Sequence, residues 1–201
     1  YLGFKLSKVY QIICYYLIYL LYQVMQGKVL WLTGLSGSGK STIANESCKL
    51  LIKSKYKVRM LDGDYIRNTL HKTLKFTPED IADNNRKTAI ICKGILDQYN
   101  YIIVPIISPF KKSRLEVSNV IGPNYYEIYV KAKLDTVIER DTKGFYKKAI
   151  NGKINYFIGI DPKVPYEPPD NPHLVLDTDL HSIEKCVEKL IEYLGINIKN
   201  S

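Results

Sequence analysis

Apolar residues along this chain form two kinds of segment, and the two kinds alternate. Short, mostly apolar runs predict buried strands, and the stretches between them repeat apolar residues every three or four positions, as a helix with one buried face does. The alternation predicts an α/β fold with a mostly parallel, five-stranded sheet and helices on both faces. The expected strands are 29–33, 57–61, 101–107, 126–130 and 174–176, and the expected helices are 41–54, 77–96, 111–121, 134–140 and 183–194.

The helix that follows residue 76 has the clearest start signal. Thr77 and Asp80 have the spacing of a capping box, and Pro78 occupies the first helical position, where its missing N–H is not needed. At the other end of the chain, Gly195 is the expected stop of the last helix. These signals place the ends of two helices independently of the apolar pattern.

Residues 34–42 lie between the first strand and the first helix, which is the order that a phosphate-binding loop requires. Glycines let consecutive backbone N–H groups turn towards phosphate oxygens at the positive end of the helix dipole. Lys40 is then placed to contact the β and γ phosphates of ATP, and the Ser41 hydroxyl is placed to bind Mg²⁺. The expected ATP-binding residues are Gly34, Leu35, Ser36, Gly37, Ser38, Gly39, Lys40, Ser41 and Thr42.

Two carboxylates and a guanidinium follow the second strand, in the stretch Asp62 to Arg67. In an open α/β sheet, ligands bind at this carboxyl edge. Asp64 could accept or orient the proton of an acceptor hydroxyl in a phosphoryl transfer. The alternative is that Asp62 and Gly63 only form a turn.

The regular alternation stops between residues 141 and 172. Lysines and aromatic residues are interleaved in the first part of this segment, and prolines follow in the second. So long an irregular segment inside a compact domain is usually an active-site lid, although a solvated basic loop with proline spacers is the alternative. We therefore expect one domain over residues 29–197 with a lid at about 141–172.

Residues 1–28 form an apolar segment of uncertain status. Lys5 and Lys8 precede an uncharged run over residues 9–25, which is short for a membrane span of about 20 residues. Only three residues separate that run from the first buried strand. We therefore favour a packed N-terminal helix or an unreliable leader over a membrane anchor.

Composition restricts the function only weakly. The chain has 201 residues, a formal net charge of +9 and four scattered cysteines with no zinc-site spacing. This cysteine usage suggests a reducing compartment with the thiols in the core, and hence the cytoplasm, with an organelle as the alternative. The positive charge gives weak support to anionic substrates. Nucleic-acid binding is disfavoured, because the basic and aromatic residues cluster in the expected lid rather than along a continuous stripe.

Five blocks in one order resemble the adenylylsulfate kinase family, whose members phosphorylate adenosine 5′-phosphosulfate (APS) with ATP. The resemblance covers about residues 27–194. It implies a P-loop kinase fold and Mg²⁺-dependent transfer of the γ-phosphate of ATP to the 3′-hydroxyl of APS, giving 3′-phosphoadenylyl sulfate for sulfate assimilation. The blocks are 31–42, 61–67, 76–87, 107–114 and 140–161, followed by Pro-Tyr-Glu at 165–167.

The same resemblance assigns roles to single residues. Asp64 resembles the carboxylate beside the acceptor hydroxyl and the magnesium ion, and Phe76 and Phe157 resemble the aromatic pair that sandwiches the APS adenine. Ser108 resembles a residue that is a phosphoserine candidate, although direct in-line transfer needs no protein nucleophile. The other residues that the resemblance places at APS are Arg67, Asn84, Arg86, Lys87, Ile107, Ser108, Lys143 and Tyr156.

Some positions depart from the family pattern. Ile81 stands where an arginine that contacts APS is usual, and an alkyl chain cannot replace a guanidinium fork. Lys111 and Ser113 replace a usual arginine and a usual aspartate. These departures put the affinity for APS in question more than phosphoryl transfer itself.

Two other functions remain open at this stage. A small-molecule P-loop kinase with a different acceptor is disfavoured by the retained Phe76, Asn84 and Phe157. A catalytically weakened nucleotide-binding domain is disfavoured by the intact set of Lys40, Ser41 and Asp64. The resemblance also implies a homodimer as an oligomeric state and an ATP sulfurylase as a linked domain or partner.

Overall fold

The computed structural model describes residues 8–17, 27–69 and 76–196, without the side chains of residues 64, 65 and 68. In these ranges, five strands form one sheet in which every pairing is parallel, as the sequence predicted. The strand order is β2-β3-β1-β4-β5, so β1 lies at the centre. The strands are β1 (Lys28–Thr33), β2 (Val58–Met60), β3 (Tyr101–Pro105), β4 (Tyr125–Lys131) and β5 (Leu174–Asp177).

The helices agree closely with the predicted ones, apart from three short elements that the pattern did not predict: α3, α7 and a 3₁₀ helix at Leu96–Gln98. The Thr77 cap is confirmed, because the Asp80 N–H donates to Thr77 Oγ1 at 3.2 Å. The described helices are α1 (8–17), α2 (Lys40–Lys53), α3 (Gly63–Thr69), α4 (Pro78–Gly94), α5 (Lys111–Ile121), α6 (Leu134–Arg140), α7 (Phe145–Ile150) and α8 (Ile183–Tyr193).

Helices cover both faces of the sheet because successive side chains of a strand point to opposite sides. Leu30 and Leu32 of β1 belong to one buried cluster with residues of α2 and α8. Val29 and Trp31 belong to a second buried cluster with residues of α4 and α5. The sheet is therefore enclosed between two helical layers, which confirms the predicted α/β architecture.

The third strand ends earlier than predicted. Pro105 is its last residue, opposite Leu32 of β1, and the Ile106 N–H still donates to the Leu32 carbonyl oxygen at 3.0 Å. Beyond it, Ser108 adopts a positive φ of 46°, so the chain leaves the sheet in a turn at residues 107–109. We call residues 107–109 the acceptor turn, because the sequence places the acceptor there.

Helix α1 is exposed along its whole described length, so the predicted packing against the domain is not found for residues 8–17. Its apolar side chains, such as Val9, Tyr10, Ile12 and Ile13, are between 48% and 67% exposed. Within residues 8–17, 27–69 and 76–196, no helix has both the length and the hydropathy that a membrane span requires.

The cysteines agree in part with the expectation of core thiols. All four are free, and Cys92 and Cys186 are buried. Burial raises the pKa of Cys92 to about 12, which keeps its thiol neutral. Cys48 is half-buried, and Cys14 is exposed on α1, so for Cys14 the expectation was wrong.

Candidate active site

The phosphate loop connects β1 to α2 and depends on glycine at two positions. Gly34 has a φ of 154°, and a Cβ atom there would lie 2.2 Å from the Val130 carbonyl oxygen. Gly39 immediately precedes α2 with a φ of 97°, a conformation that side chains other than glycine rarely adopt. The loop therefore keeps its close approach to β4 and its sharp entry into α2 only with these residues.

The two polar groups expected at the phosphates lie in this loop and in the first turn of α2. Lys40 is buried, and its Nζ donates to the Leu35 carbonyl oxygen at 2.7 Å, which holds the amine across the loop. The Ser41 hydroxyl is exposed and lies 3.4 Å from Asp62 Oδ2. The structure thus pairs Ser41 with the first carboxylate of the Asp-Gly-Asp stretch, whereas the sequence pointed to the second.

A hydroxyl and a carboxylate fit the oxygen ligands that Mg²⁺ prefers. Among the described residues, no group of three or more His, Cys, Asp or Glu side chains could enclose a metal ion. Mg²⁺ is usually held by one or two protein groups together with substrate phosphates. Asp64 lies in α3, but its side chain is outside the described residues, so its predicted role stays a prediction.

The acceptor turn is bonded directly to the residues that start the phosphate loop. Thr33 Oγ1 donates to the Ile107 carbonyl oxygen at 2.6 Å, and the Gly34 N–H points to the same oxygen at 3.4 Å. Ser108 is buried, and its Oγ accepts a hydrogen bond from Asn85 Nδ2 at 3.0 Å. The turn is therefore part of the same rigid region as the loop.

Asn85 was not among the predicted site residues. It also donates to Ser113 Oγ at 3.2 Å and is 1% exposed, next to the predicted and equally buried Asn84. Two adjacent buried amides in the middle of a helix are unusual, because asparagine favours caps and turns. That pair of asparagines was the signal in the sequence that could have identified Asn85.

The two basic residues predicted on α4 pair with the same carboxylate. Arg86 and Lys87 both contact Asp83, at 2.8 and 2.7 Å, and both side chains are about half exposed. The hydrogen bond from Lys87 contributes most to lowering the pKa of Asp83. An anionic ligand at this helix would have to compete with Asp83 for the two cations.

The aromatic residues predicted to sandwich the APS adenine have different surroundings. Phe76 is 55% exposed, and the Arg67 guanidinium carbon lies 4.7 Å from its ring centroid. Phe157 is half-buried and packs edge-on against Tyr146, with ring centroids 4.9 Å apart. The structure therefore places Arg67 beside Phe76 and places Phe157 in the lid.

The lid rests on the phosphate loop. Asp141 begins it, and its carboxylate accepts from the Tyr146 and Lys147 N–H groups at the start of α7. The Tyr146 hydroxyl donates to the Ser36 carbonyl oxygen at 2.9 Å. Lys143 lies exposed in the same part of the lid. The predicted irregular segment therefore includes a helix that contacts the loop.

Ile81 has a clear structural role. It is 3% exposed and forms an apolar cluster with Ile158 and Val164 of the lid, with the predicted Ile107 and Tyr156 packed around it. The chain thus joins α4 to the lid by apolar contact at the position where an arginine is usual. An apolar side chain is required there by its surroundings.

A cavity of about 340 Å³ adjoins the phosphate loop at Gly37 and Gly39. Arg140 is fixed at its edge, with Nη2 donating to the Thr178 carbonyl oxygen at 2.7 Å. Apart from Gly37 and Gly39, the sequence did not predict the lining of this cavity, because the segment after β5 that supplies four of its residues has no motif. The cavity is lined by Gly37, Gly39, Arg140, Thr178, His181, Ser182 and Ile183.

The sequence model of the adenylylsulphate kinase family matches residues 26–177 of this chain, which include the phosphate loop, the acceptor turn and the lid. The chain belongs to this family. The adenylyl-sulfate kinase of Bacillus licheniformis is 46% identical over 170 residues, which cover 84% of this chain and 85% of the relative.

Solved structures of other adenylylsulphate kinases share the fold. The APS kinase of Mycobacterium tuberculosis in complex with AMPPNP and APS has a TM-score of 0.79 and 36% identity, over 85% of this chain and 98% of that one. The hexameric APS kinase of Thiobacillus denitrificans has a TM-score of 0.62 and 25% identity, over 87% of this chain and 30% of that one. The P-loop kinase fold is confirmed, and the chain is an ATP-dependent phosphotransferase.

Proposed function

We propose that this chain transfers the γ-phosphate of ATP to the 3′-hydroxyl of APS, giving ADP and 3′-phosphoadenylyl sulfate. One observation carries the proposal. The phosphate loop and the acceptor turn are joined through the Ile107 carbonyl oxygen, to which Thr33 and Gly34 both direct their donors. A phosphoryl donor and an acceptor held at these two places would lie side by side. The membership of the adenylylsulphate kinase family supports APS as that acceptor.

ATP would bind along the phosphate loop. The loop amides and Lys40 would surround the β and γ phosphates, and the cavity next to Gly37 and Arg140 would take the adenine. Phosphoryl transfer passes through a loose transition state, so the protein's main task is to position the groups and to neutralise their charge. The contact of Lys40 with the Leu35 carbonyl oxygen fixes the amine near its expected phosphate position.

Ser41 and Asp62 would hold the Mg²⁺ ion that accompanies ATP. Bound there, the ion supplies positive charge that offsets the charge developing on the β and γ phosphates. Asp64, on the first turn of α3, would accept or orient the proton of the acceptor hydroxyl. These two carboxylates would thus have separate roles, one at the metal and one at the acceptor.

APS would bind between α4, the acceptor turn and the lid. Arg67 and Phe76 would contact it from one side, and Phe157 and Lys143 from the lid. Its anionic groups would draw Arg86 and Lys87 away from Asp83. The remaining proposed contacts are Asn84, Tyr156, Ile107 and Ser108.

Ser108 would position the acceptor rather than carry a phosphate. Its hydroxyl is buried and already accepts a hydrogen bond from Asn85. Direct in-line transfer needs no protein nucleophile. Incubation with ATP labelled at the γ-phosphate, without APS, should therefore leave the protein unlabelled. Label at Ser108 would contradict this role.

We also propose self-association, a cytoplasmic location and function beside an ATP sulfurylase. A hexameric relative supports self-association in the family. The link to a sulfurylase rests on the chemistry, since an enzyme that makes APS must supply the substrate. Sedimentation of the purified chain would give its oligomeric state.

The test of the proposed reaction uses the purified chain with ATP and Mg²⁺, with and without APS, and follows ADP release. We expect APS-dependent ADP release with 3′-phosphoadenylyl sulfate as the product. Asp64→Ala should abolish it, whereas Asp97→Ala, at an exposed position beyond α4, should not. ATP binding without stimulation by APS would instead favour a weakened nucleotide-binding domain. Phosphorylation of another small molecule would favour a different acceptor.

A further inference from the structure

The Pro-Tyr-Glu motif at residues 165–167 ends the lid and has no role in the proposed reaction so far. Tyr166 in this motif has its hydroxyl 3.0 Å from Thr33 Oγ1. The Thr33 hydroxyl has one proton, and it donates that proton to the Ile107 carbonyl oxygen at 2.6 Å. Tyr166 must therefore be the donor in its bond with Thr33. A relay of hydrogen bonds runs from the lid through β1 to the acceptor turn.

The Tyr166 ring is fixed on two sides. It stacks on Tyr129 with ring centroids 6.1 Å apart and an angle of 19° between the planes. The Arg114 guanidinium carbon lies 6.0 Å from its centroid. Burial is the main cause that raises the pKa of Tyr166, so the hydroxyl keeps its proton and remains a donor well above neutral pH.

The next residue of the motif, Glu167, also bonds to the acceptor turn. The Glu167 N–H donates to the Pro109 carbonyl oxygen at 2.9 Å, and Glu167 Oε2 accepts from the Lys111 N–H at 2.6 Å. Arg114 completes the contact, because Nη2 donates to the Glu167 carbonyl oxygen and Nη1 donates to the Ser108 carbonyl oxygen. The motif and Arg114 together fix both ends of the turn.

This set of contacts explains how Ser108 can keep its strained backbone. A non-glycine residue in the left-handed region is strained, and this conformation persists only where its neighbours enforce it. Here the Pro109 carbonyl oxygen accepts directly from Glu167 of the lid. The carbonyl oxygens of residues 107 and 108 accept from Thr33 and Arg114, and each of these two residues is itself bonded to the lid. The geometry of the turn therefore depends on how the lid is seated.

We propose that Tyr166 is a positioning residue for the acceptor. Through Thr33, its hydroxyl fixes the acceptor turn when the lid is closed, and so sets the affinity for APS. The affinity for ATP should depend less on this bond, because the conformation of Gly39 and the contact of Lys40 with the Leu35 carbonyl oxygen shape the loop next to α2. The inference rests on the proposed function, since it concerns the acceptor of the same reaction.

The kinetic test compares Tyr166→Phe and Thr33→Val, which remove the hydroxyls and keep the shapes, with Tyr193→Phe on α8 as the matched control. Tyr166→Phe loses one buried hydrogen bond and should raise the KM for APS about three- to tenfold. Thr33→Val also loses the bond to the Ile107 carbonyl oxygen and should raise this KM at least as much. The KM for ATP should stay within about twofold of the starting value, because the bond adjoins the phosphate loop at its first residue, Gly34, and not at Gly39 or Lys40 next to α2. The double variant should be no worse than the worse single one, because both remove the same bond. Tyr193→Phe should match the unmodified chain.

A second measurement does not require turnover. Without substrates, trypsin should cut the lid at Lys147, Lys148 or Lys153 several times faster in Tyr166→Phe, while the melting temperature of the core changes little. Equal rises in both KM values, additive effects in the double variant, or unchanged KM and unchanged tryptic cleavage would each overturn the inference. Failure of the unmodified chain to phosphorylate APS would instead refute the proposed function, and the trypsin comparison would still decide whether Tyr166 seats the lid.

Discussion

The phosphate loop takes its shape from consecutive residues, whereas the acceptor turn is held by residues from distant parts of the chain. Gly34 and Gly39 set the path of the loop, and Lys40 folds back on Leu35 within it. The turn at residues 107–109 depends on Thr33 of β1, Asn85 of α4 and Glu167 at the end of the lid. One half of the site is built locally, and the other by tertiary contacts.

This difference predicts how substitutions in each half of the site should affect activity and stability. A side-chain substitution in the loop can remove a catalytic group and leave the fold intact, because Tyr146 and Thr178 contact the loop through its backbone carbonyl oxygens. A substitution beneath the acceptor turn disturbs several segments at once, so stability and affinity should change together. Measuring both the stability and the substrate affinity of a variant can therefore show whether the substituted residue belongs to the phosphate loop or supports the acceptor turn.

Arg114→Met should give the largest loss of stability. Arg114 is 3% exposed and pairs with the largely buried Glu127 at 2.7 Å, and Glu127 would be left without its partner. Removing one partner of a buried ion pair costs about 3 to 5 kcal/mol of unfolding free energy, measurable by urea denaturation. Burial already raises the pKa of Glu127 and Arg114 opposes this, so Glu127→Gln in the same variant should restore part of the loss. A loss below about 1 kcal/mol would contradict a structural role for Arg114.

Lys40→Met should separate catalysis from stability. Without the amine near the phosphates, kcat for APS-dependent ADP release should fall about 10²- to 10³-fold, as when one charge-stabilising donor is removed from an active site. The unfolding free energy should change far less than in Arg114→Met. Lys49→Met is the control, because Lys49 is exposed on the same helix and pairs only at the surface with Glu46. A loss of stability as large as that of Arg114→Met would show that the loop is not a local structure.

Ile81→Arg should weaken the connection between α4 and the lid. A charge at a position 3% exposed, among Ile158 and Val164, cannot be solvated unless the lid moves away. We expect the KM for APS to rise about tenfold, from a loss of about 1.4 kcal/mol of binding free energy. Ile81→Val, which keeps the apolar contact, is the control. A lower KM for APS in Ile81→Arg would show that an arginine there contacts the substrate directly.

Asp161→Asn should have the smallest effect, confined to the lid. The Asp161 carboxylate accepts from the Lys163 and Tyr156 N–H groups, and the Lys163 bond contributes most to lowering its pKa. Because the folded-state pKa lies below the ordinary value of 3.8, this contribution is fully present above that pH and is lost as the pH falls through the lowered pKa. The protection of these two amides, relative to their intrinsic exchange rates, should fall in the variant at pH 7, and in the unmodified chain only in acid. Equal protection in both chains at pH 7 would contradict the assignment.

The sequence was most informative where structure is local. The five strands, the Thr77 cap and the phosphate loop follow from patterns within about twenty residues, and the structure has them at nearly the predicted positions. Asp64 remains a prediction that the structure leaves open. The pattern did not predict α3, because the Asp-Gly pair at its start also predicts a turn. It did not predict α7 either, because the first N–H groups of this helix are bonded to Asp141, which lies several residues before it.

The parts that the sequence did not predict depend on contacts across the chain. Asn85 reaches Ser108 over 23 positions, Ser41 reaches Asp62 over 21, and Tyr146 reaches Ser36 over 110. Nothing in a local pattern indicates that such pairs meet. Ile81 is the clearest case, because its buried apolar contact with the lid could not be read from the sequence around it.

The proposal that APS is the acceptor at the 107–109 turn is tested most directly by product analysis. Purified chain, ATP, Mg²⁺ and APS would be incubated, and the nucleotides would be separated and identified by mass. We predict one 3′-phosphoadenylyl sulfate for each ADP released, and no product from an APS analogue that lacks the 3′-hydroxyl. ADP release at the same rate with that analogue, or without APS, would contradict the proposal.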